Sequence, residues 1–532
     1  MKSILILALL LAASVAPTLP VSAQTPNPLF RHIPPDADVI YHVNLPTLTS
    51  KMSLTAIFAV LNYGRLPNGP TLASLKDLFN SGIDTTKDFI VARSNVFHKD
   101  SLGYTTMIAH LTDSAKFVAF LHRNERGLEY SPGNPRVGTS QGSAYAWNNR
   151  LVVMLIMHHP SGQTAEDLFK TPSRASQRCL AALGSFDHSF FTTDPSFLTT
   201  FSDDADAHFW NKHGTGYGGL SAIIRSTGAQ SQLGGLPQVF GEPGKTQSSS
   251  IGSLRFETGK ISYRNIRVLS PNDSSLVAKN VGASLGASLF AGIPPGKLLG
   301  MIALHLDIQT LANEIQEKGA TLGPMRKRNF SADDIRQALT GDFLILAYDP
   351  PDTQLVPHGS AKAPLLYIVA RVSDKPAFER LAKGLKFSGP TDTATADSGR
   401  LHAHYAFEND AAVISFTPQA VDRYLRPDPA QTPAHPERRF LTEELRANSS
   451  AMAGIDFGKL TIFLQRTMTK GGALGAKDQS TLDLFRHFDS FLLTSTAVHG
   501  NESVTQYELR LADASHNSFP ALIGILGPLF RP

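Results

Sequence analysis

The chain has 532 residues, a formal charge of +4, 18% charged and 42% hydrophobic residues, and one cysteine. This is a globular composition with less charge than the usual quarter or so, which excludes an intrinsically disordered chain. The densest basic cluster, Arg326-Lys327-Arg328, is too short for a phosphate-tracking surface. The single thiol, Cys179, excludes an intrachain disulfide framework.

The predicted elements open with an export signal, residues 1–23. Lys2 supplies the positive start, and Ile4 to Val15 is an apolar run too short to cross a bilayer. Val21-Ser22-Ala23 is a small-x-small site, so cleavage is expected after Ala23. No Cys adjoins it, so attachment through a lipidated cysteine is not expected. The remainder is too long for one core and suits two domains, 24–285 and 286–532.

From there the chain states its elements twice, about 260 residues apart. Ile33-Pro34-Pro35 leads into a strand, Val39 to Leu45, and Ile293-Pro294-Pro295 into a second, Leu298 to Leu306. His42-Val43-Asn44 recurs as His305-Leu306-Asp307, with Thr47 and Thr310 expected to cap the helices that follow. Thr71 to Asn80 places Leu72, Leu75, Leu78 and Phe79 on one helical face. Asp88-Phe89-Ile90-Val91 matches Asp342-Phe343-Leu344-Ile345, and Met107 to Asp113 matches Ile368 to Asp374. Asp113 and Asp374 are expected to cap helices that bury Phe117 and Phe378. Tyr145-Ala146-Trp147 matches Tyr405-Ala406-Phe407, each leading into a hairpin at Asn149 or Asn409. Ala205 to Phe209 matches Ala451 to Ile455, and hairpin turns are expected at Gly259-Lys260 and Gly500-Asn501. The implied fold class is α+β, with two tandem copies of a mostly antiparallel sheet flanked by helices and a boundary near Ser284 to Gly292. Gly214 to Ser250 and Thr391 to Gly399 read as polar loops. The apolar C-terminal run from Phe519 to Phe530 is expected to dock on the sheet as a last helical turn.

A duplication also sorts structural residues from special ones, because residues that serve the fold should recur. Two Gly-x-Ser-x-Gly matches, around Ser140 and Ser284, lack the helix that a nucleophile elbow needs after its serine. Gly214-x-Gly216-x-x-Gly219 follows the strand around Phe209 but lacks the helix after it that a dinucleotide fingerprint needs, and the candidate acid, Glu242, is not on a second strand. Gly244-Lys245-Thr246 has Val239 where a phosphate loop needs its first glycine. Asp203-Asp204-Ala205-Asp206 has no calcium-loop spacing and reads as a charged turn. His158-His159 point to opposite faces of a strand, whereas His402-x-His404 share a face without a third ligand. His42 and His305 share a position, which points to packing or a local hydrogen bond in both copies. Tyr145 with Trp147, and Tyr405 with Phe407, could stack on sugars, but their recurrence favours a core stripe under helices. No residue is nominated as catalytic, cofactor-binding or metal-binding.

The opening Ile33-Pro34-Pro35-Asp36-Ala37-Asp38-Val39-Ile40-Tyr41 and the later Ala451 to Leu460, a strand ending in an Asp-aromatic-Gly-Lys-Leu turn, carry a resemblance. The chain is similar to an uncharacterised group of exported Bacteroidetes proteins known only as a domain of unknown function. Many of that group are envelope lipoproteins, and the missing cysteine departs from that pattern. The resemblance implies no catalytic residues. The reading is therefore a non-enzymatic exported protein of the periplasm, envelope or exterior, binding or scaffolding an envelope protein or glycan. Its expected working surfaces are the cleft between the copies and the Gly214 to Ser250 loop. No nucleic acid, cofactor or transmembrane segment is expected, although peripheral membrane contact is compatible. Two alternatives stand beside it: an envelope hydrolase assembled from distant residues, and a carbohydrate-binding protein.

Overall fold

Apolar runs of strand length, punctuated by Gly, Asn and Asp, bury themselves by pairing with one another. In the computed structural model of this protein they form antiparallel ladders. The structure describes residues 27–53, 56, 80–94, 103–125, 128–131, 133, 135–140, 143–158, 165–212, 249–269, 285–290, 292–318, 331–351, 356, 363–389, 403–426, 440, 449–469, 476–496 and 501–526. Outside them lie the export signal, residues 71–79, 214–248, 391–399 and 527–530, Ser284, His159, His402, Arg326 to Arg328 and Gly500. The described residues fall into two compact units. The first draws on Met1–Gly214, Ser249–Ile266 and Ala514–Pro532, and the second on Thr215–Ser248 and Arg267–Asp513.

The first unit contains β1 (Ala37–Val43), β2 (Phe89–Ser94), β3 (Gly103–His110), β4 (Glu129–Ser131) and β5 (Arg136–Ser140). It continues with β6 (Ser143–Trp147), β7 (Leu151–His158), β8 (Ala207–Asn211), β9 (Ser249–Glu257) and β10 (Lys260–Val268). Their spatial order is β4–β5–β6–β7–β3–β2–β1–β8–β9–β10. The second unit contains β11 (Leu298–His305), β12 (Leu339–Tyr348), β13 (Leu365–Val372) and β14 (His404–Glu408). It ends with β15 (Ala411–Ser415), β16 (Ser449–Asp456), β17 (Phe488–Thr496) and β18 (Glu502–Leu511). The order there is β14–β15–β13–β12–β11–β16–β17–β18. Without the β4 and β5 extension, the first unit runs through the same sequence of strands. The fold is α+β, built as two copies of an antiparallel sheet flanked by helices.

Registers repeat as well. Ile90 faces Ile108 and Ile108 faces Val153, just as Leu344 faces Val369 and Val369 faces Val413. Two ladders are out of step with the sequence match. Val43 faces Phe89, but Leu304 faces Phe343, so the shared His-x-Asn/Asp segment has slipped by two residues. Val43 also faces Ala207, but Ile302 rather than Leu306 faces Ala453, a displacement of four residues. Displacements of two or four residues leave every side chain on its original face, so the core tolerates them.

Helices lie between corresponding strands in both units. The first has α1 (Leu45–Lys51), α2 (Ser114–Asn124), α3 (Ala165–Gly184), α4 (Phe190–Thr193) and α5 (Pro195–Phe201). The second has α6 (Ile308–Lys318), α7 (Ala332–Ala338), α8 (Lys375–Gly384), α9 (Pro418–Leu425), α10 (Phe457–Thr469) and α11 (Ala476–Arg486). The caps expected at Thr47 and Thr310 lie three residues earlier. Asn44 Oδ1 accepts from Thr47 N at 3.2 Å, and Asp307 Oδ1 accepts from Gln309 N at 3.0 Å. Asp113 accepts from Ala115 N and Lys116 N, both at 2.9 Å. Asp374 holds the N-cap position without a side-chain bond, and Pro376 removes one of the two donors available to Asp113. The Asp456-Phe457-Gly458-Lys459-Leu460 segment is a helix start: Asp456 Oδ1 accepts from Lys459 N at 2.9 Å as β16 passes into α10.

Tyr145 and Trp147 are buried beneath α2, with Phe117 edge-on to Trp147 at 5.5 Å. Phe378 of α8 meets Tyr405 at 5.5 Å and Phe407 at 5.6 Å in the same way. These stripes are core, and neither Tyr145 nor Trp147 is available to a sugar. The C-terminal helix α12 (Ser518–Leu526) docks on β9, where Phe519 packs on Phe256 at 4.7 Å. No helix among the described residues is long and apolar enough to cross a membrane.

Replacing Trp147 with Ala should cost the first unit about 3–5 kcal/mol, because the site cannot collapse around a lost indole. Urea denaturation monitored by circular dichroism measures this; a loss below about 1 kcal/mol would contradict a core role.

Candidate ligand-binding site

The second unit has a cavity of about 430 Å³ at the end of its sheet, where β11 begins and β12 ends. Its floor is Tyr348, Leu365 and Tyr367, and its rim is Pro294 to Lys297, Asp349 to Pro351, Arg423 and Arg466. Strand pairing places the floor: Leu298 faces Tyr348, which in turn faces Leu365. The Tyr348 hydroxyl donates to the Pro294 carbonyl at 2.7 Å, fixing the proline corner above the ring. Tyr367 meets Tyr348 edge-on at 5.8 Å and Tyr424 at 5.1 Å. Burial pushes the Tyr367 phenol up to about 12, with Arg423 opposing, so it keeps its proton at neutral pH.

Three cations line this space against one carboxylate. Arg466 grips the buried Asp349 with two prongs, Nη1 reaching Oδ2 at 3.2 Å and Nη2 bonding Oδ1. Among the described residues, Lys297 and Arg423 have no carboxylate in salt-bridge reach. A neutral pair plus two unmatched cations suits an anion in a partly dry setting.

The residues singled out in the sequence have other occupations. Ser140 lies on β5 and donates to Glu125 Oε2 at 2.7 Å, with strand β6 following rather than a helix. His158 Nε2 is 2.7 Å from the Thr105 hydroxyl. His404 opens β14 and is half-buried. The carboxylates of 203–206 are matched by cations: Asp203 and Asp204 by Arg255, Asp206 by Lys51 at 2.5 Å. Among the described residues there is no group of three or more metal-ligating side chains. Cys179 is buried, and its thiol is pushed up to about 12 by that burial, which leaves it unreactive.

His42 and His305 each reach the aspartate matched in the repeat. His42 Nε2 lies 3.1 Å from Asp88 Oδ2, and His305 Nδ1 lies 2.6 Å from Asp342 Oδ1. In the first unit the array extends further. His42 Nδ1 is 2.9 Å from His208 Nδ1, and His208 Nε2 is 2.7 Å from Asp203 Oδ1. The tautomers of the two rings set which Nδ1 donates across this contact, and Asn27 Nδ2 also lies 3.4 Å from His42 Nε2. Both rings lie under Phe201, and Phe30 covers His42, so both imidazoles are buried. Burial pushes His42 down, against its bond to Asp88. Burial opposes ionisation of Asp203, yet the His208 bond and Arg255 hold it below the usual carboxylate range.

No protein-family model and no curated protein matches this chain. Crystal forms of TP0453 are loosely similar in structure. One form superposes with a TM-score of 0.27 at 10% identity, covering 48% of this chain and 85% of that one. Another gives 0.28 at 9% identity, covering 47% and 81%. Superpositions this loose assign no role.

The buried imidazoles give the first unit a defined acid response. His32, whose Nδ1 lies 2.8 Å from the Ala182 carbonyl, is also pushed down by burial. A histidine lowered in the fold contributes stability above its unfolded value near 6.5 and loses it as pH falls. Asp203, also lowered, contributes above about 4 and loses that below it. Urea midpoints of the first unit should fall as pH drops from 7 to 5 and fall again below 4, with His32→Gln flattening the earlier step. A midpoint that rises on acidification contradicts this.

Proposed function

We propose that this chain is an exported bacterial envelope protein that acts by binding a small molecule, without turnover, in the cavity of its second unit. One observation carries the reading: a 430 Å³ space floored by aromatic rings and rimmed by cations. Ligand sites combine an apolar floor with a few placed polar groups in this way, and the volume lies within their usual range. The lining offers cations, phenols and one committed carboxylate. Among the described residues it has neither a hydroxyl nucleophile beside a histidine nor a pair of carboxylates, which weighs against the hydrolase alternative.

Export rests on the segment from Lys2 to Ala23, and membership of the exported Bacteroidetes group rests on the Ile33 to Tyr41 and Ala451 to Leu460 motifs. Descent by duplication, with copies 24–285 and 286–532, belongs to the same proposal. It is supported by the shared strand order.

Calorimetric titration of residues 24–532 with small aromatic compounds should reveal one saturable site per chain, with each compound recovered unchanged. Pro295→Trp, on the cavity rim, should block it. Accumulating product, or binding indifferent to Pro295→Trp, would overturn the proposal.

A further inference from the structure

The cavity has a counterpart in the first unit, and the two corners are filled differently. Register establishes the match. Ala37 faces Ser94 and Ser94 faces Tyr104, just as Leu298 faces Tyr348 and Tyr348 faces Leu365. Each corner follows an Ile-Pro-Pro, and each is covered by the helix that comes after the corresponding strand, α3 after β7 and α9 after β15.

In the first unit the corner satisfies itself. Arg178 of α3 lies over the Tyr104 ring, 4.6 Å from its centroid. Its Nη2 donates to Asp36 Oδ1 at 2.5 Å and to Ser94 Oγ at 2.7 Å. One cation meets one carboxylate, and an aromatic face supports both.

In the second unit the carboxylate is missing. Asp36 follows the prolines in the first copy, whereas Gly296-Lys297 stand between Pro295 and Leu298 in the second. The helix still supplies a cation, Arg423, and the loop now adds another instead of an acid. Gly296 has a φ of +151°, and a Cβ there would lie 3.2 Å from the Tyr348 ring, so a side chain cannot be restored without strain. Asp349 cannot take Asp36's place because Arg466 already holds it.

Resting on the reading of this cavity as a ligand site, we propose the class of its ligand: a small, flat, apolar molecule carrying one carboxylate or phosphate group. The anion takes the place that Asp36 has in the first unit, between Arg423 and Lys297, and the body lies against Tyr348 and Tyr367. A guanidinium presents a planar fork that suits either anion, and the protonated Tyr367 phenol adds a donor. A cationic ligand would face two unmatched positive charges.

The test is titration of residues 24–532 with benzoate, phenyl phosphate, benzamide and benzylamine, which share a ring and differ in charge. At least one of the two anions should bind ten or more times tighter than benzamide, and benzylamine should bind weakest. The better anion identifies its head group as carboxylate or phosphate. Arg423→Gln should erase the gap between anion and amide, and Lys297→Gln, at an exposed position, should reduce it. Arg178→Gln in the first unit should leave it intact. Unchanged circular dichroism melts show that the variants fold. If benzamide or benzylamine binds as tightly as both anions, or the gap survives Arg423→Gln, the ligand class is wrong while the cavity remains a ligand site. If none of the four binds, both readings fall.

Discussion

The first strand of each unit, β1 or β11, is hydrogen-bonded on both sides, and that double pairing fixes the positions of the other elements. A strand held on both edges cannot shift by one residue without exchanging the side chains that pack on its two faces, and every residue of β1 is buried. Ile40 and Ala303 lie fully buried on these strands. Once they are fixed, β2 and β12 follow, then β3 and β13, and the helices pack on the apolar faces that remain. The corner where Leu298, Tyr348 and Leu365 meet is a consequence of this ladder.

Two copies of one ladder allow a comparison within a single molecule. The helical cores diverge little: Phe117 over Trp147 and Phe378 over Phe407 are the same solution with different rings. The corners diverge in charge. Arg178 and Asp36 neutralise each other, whereas Arg423 and Lys297 add. An unmatched cation beside an apolar floor is costly to desolvate and loses little when left open to solvent and ligand. The His42–His208 array shows divergence of another kind. There the first unit links two buried imidazoles to each other and to the partly exposed Asp88 and Asp203, while the second has the His305–Asp342 pair at the matching position.

Much of the architecture was legible in the sequence because it depends on period and punctuation. Alternating apolar residues located the strands, Asn149 and Asn409 marked hairpins, and the Phe117 and Phe378 spacings located the covering helices. The helix caps were misplaced by three residues because Thr47 and Thr310 are good capping types, yet Asn44 and Asp307 stand closer to the first free amides. The two-residue slip of the His-x-Asn/Asp segment is invisible to sequence matching, since both registers bury the same face. The cavity was missed because its residues are scattered over five segments and none is unusual alone. One signal was present: the residue after Ile-Pro-Pro changes from Asp36 to Gly296-Lys297, an acid replaced by a glycine and a base.

Cross-strand trapping by engineered cysteines tests the shared ladder most directly, in a Cys179→Ala background. Facing residues of an antiparallel pair lie close enough to bridge, and residues two positions away do not. Leu304→Cys with Phe343→Cys should crosslink on mild oxidation, as should Val43→Cys with Phe89→Cys, whereas Leu306→Cys with Phe343→Cys should stay reduced. Crosslinking of the Leu306 pair in place of the Leu304 pair would contradict the register on which the match between the two corners rests.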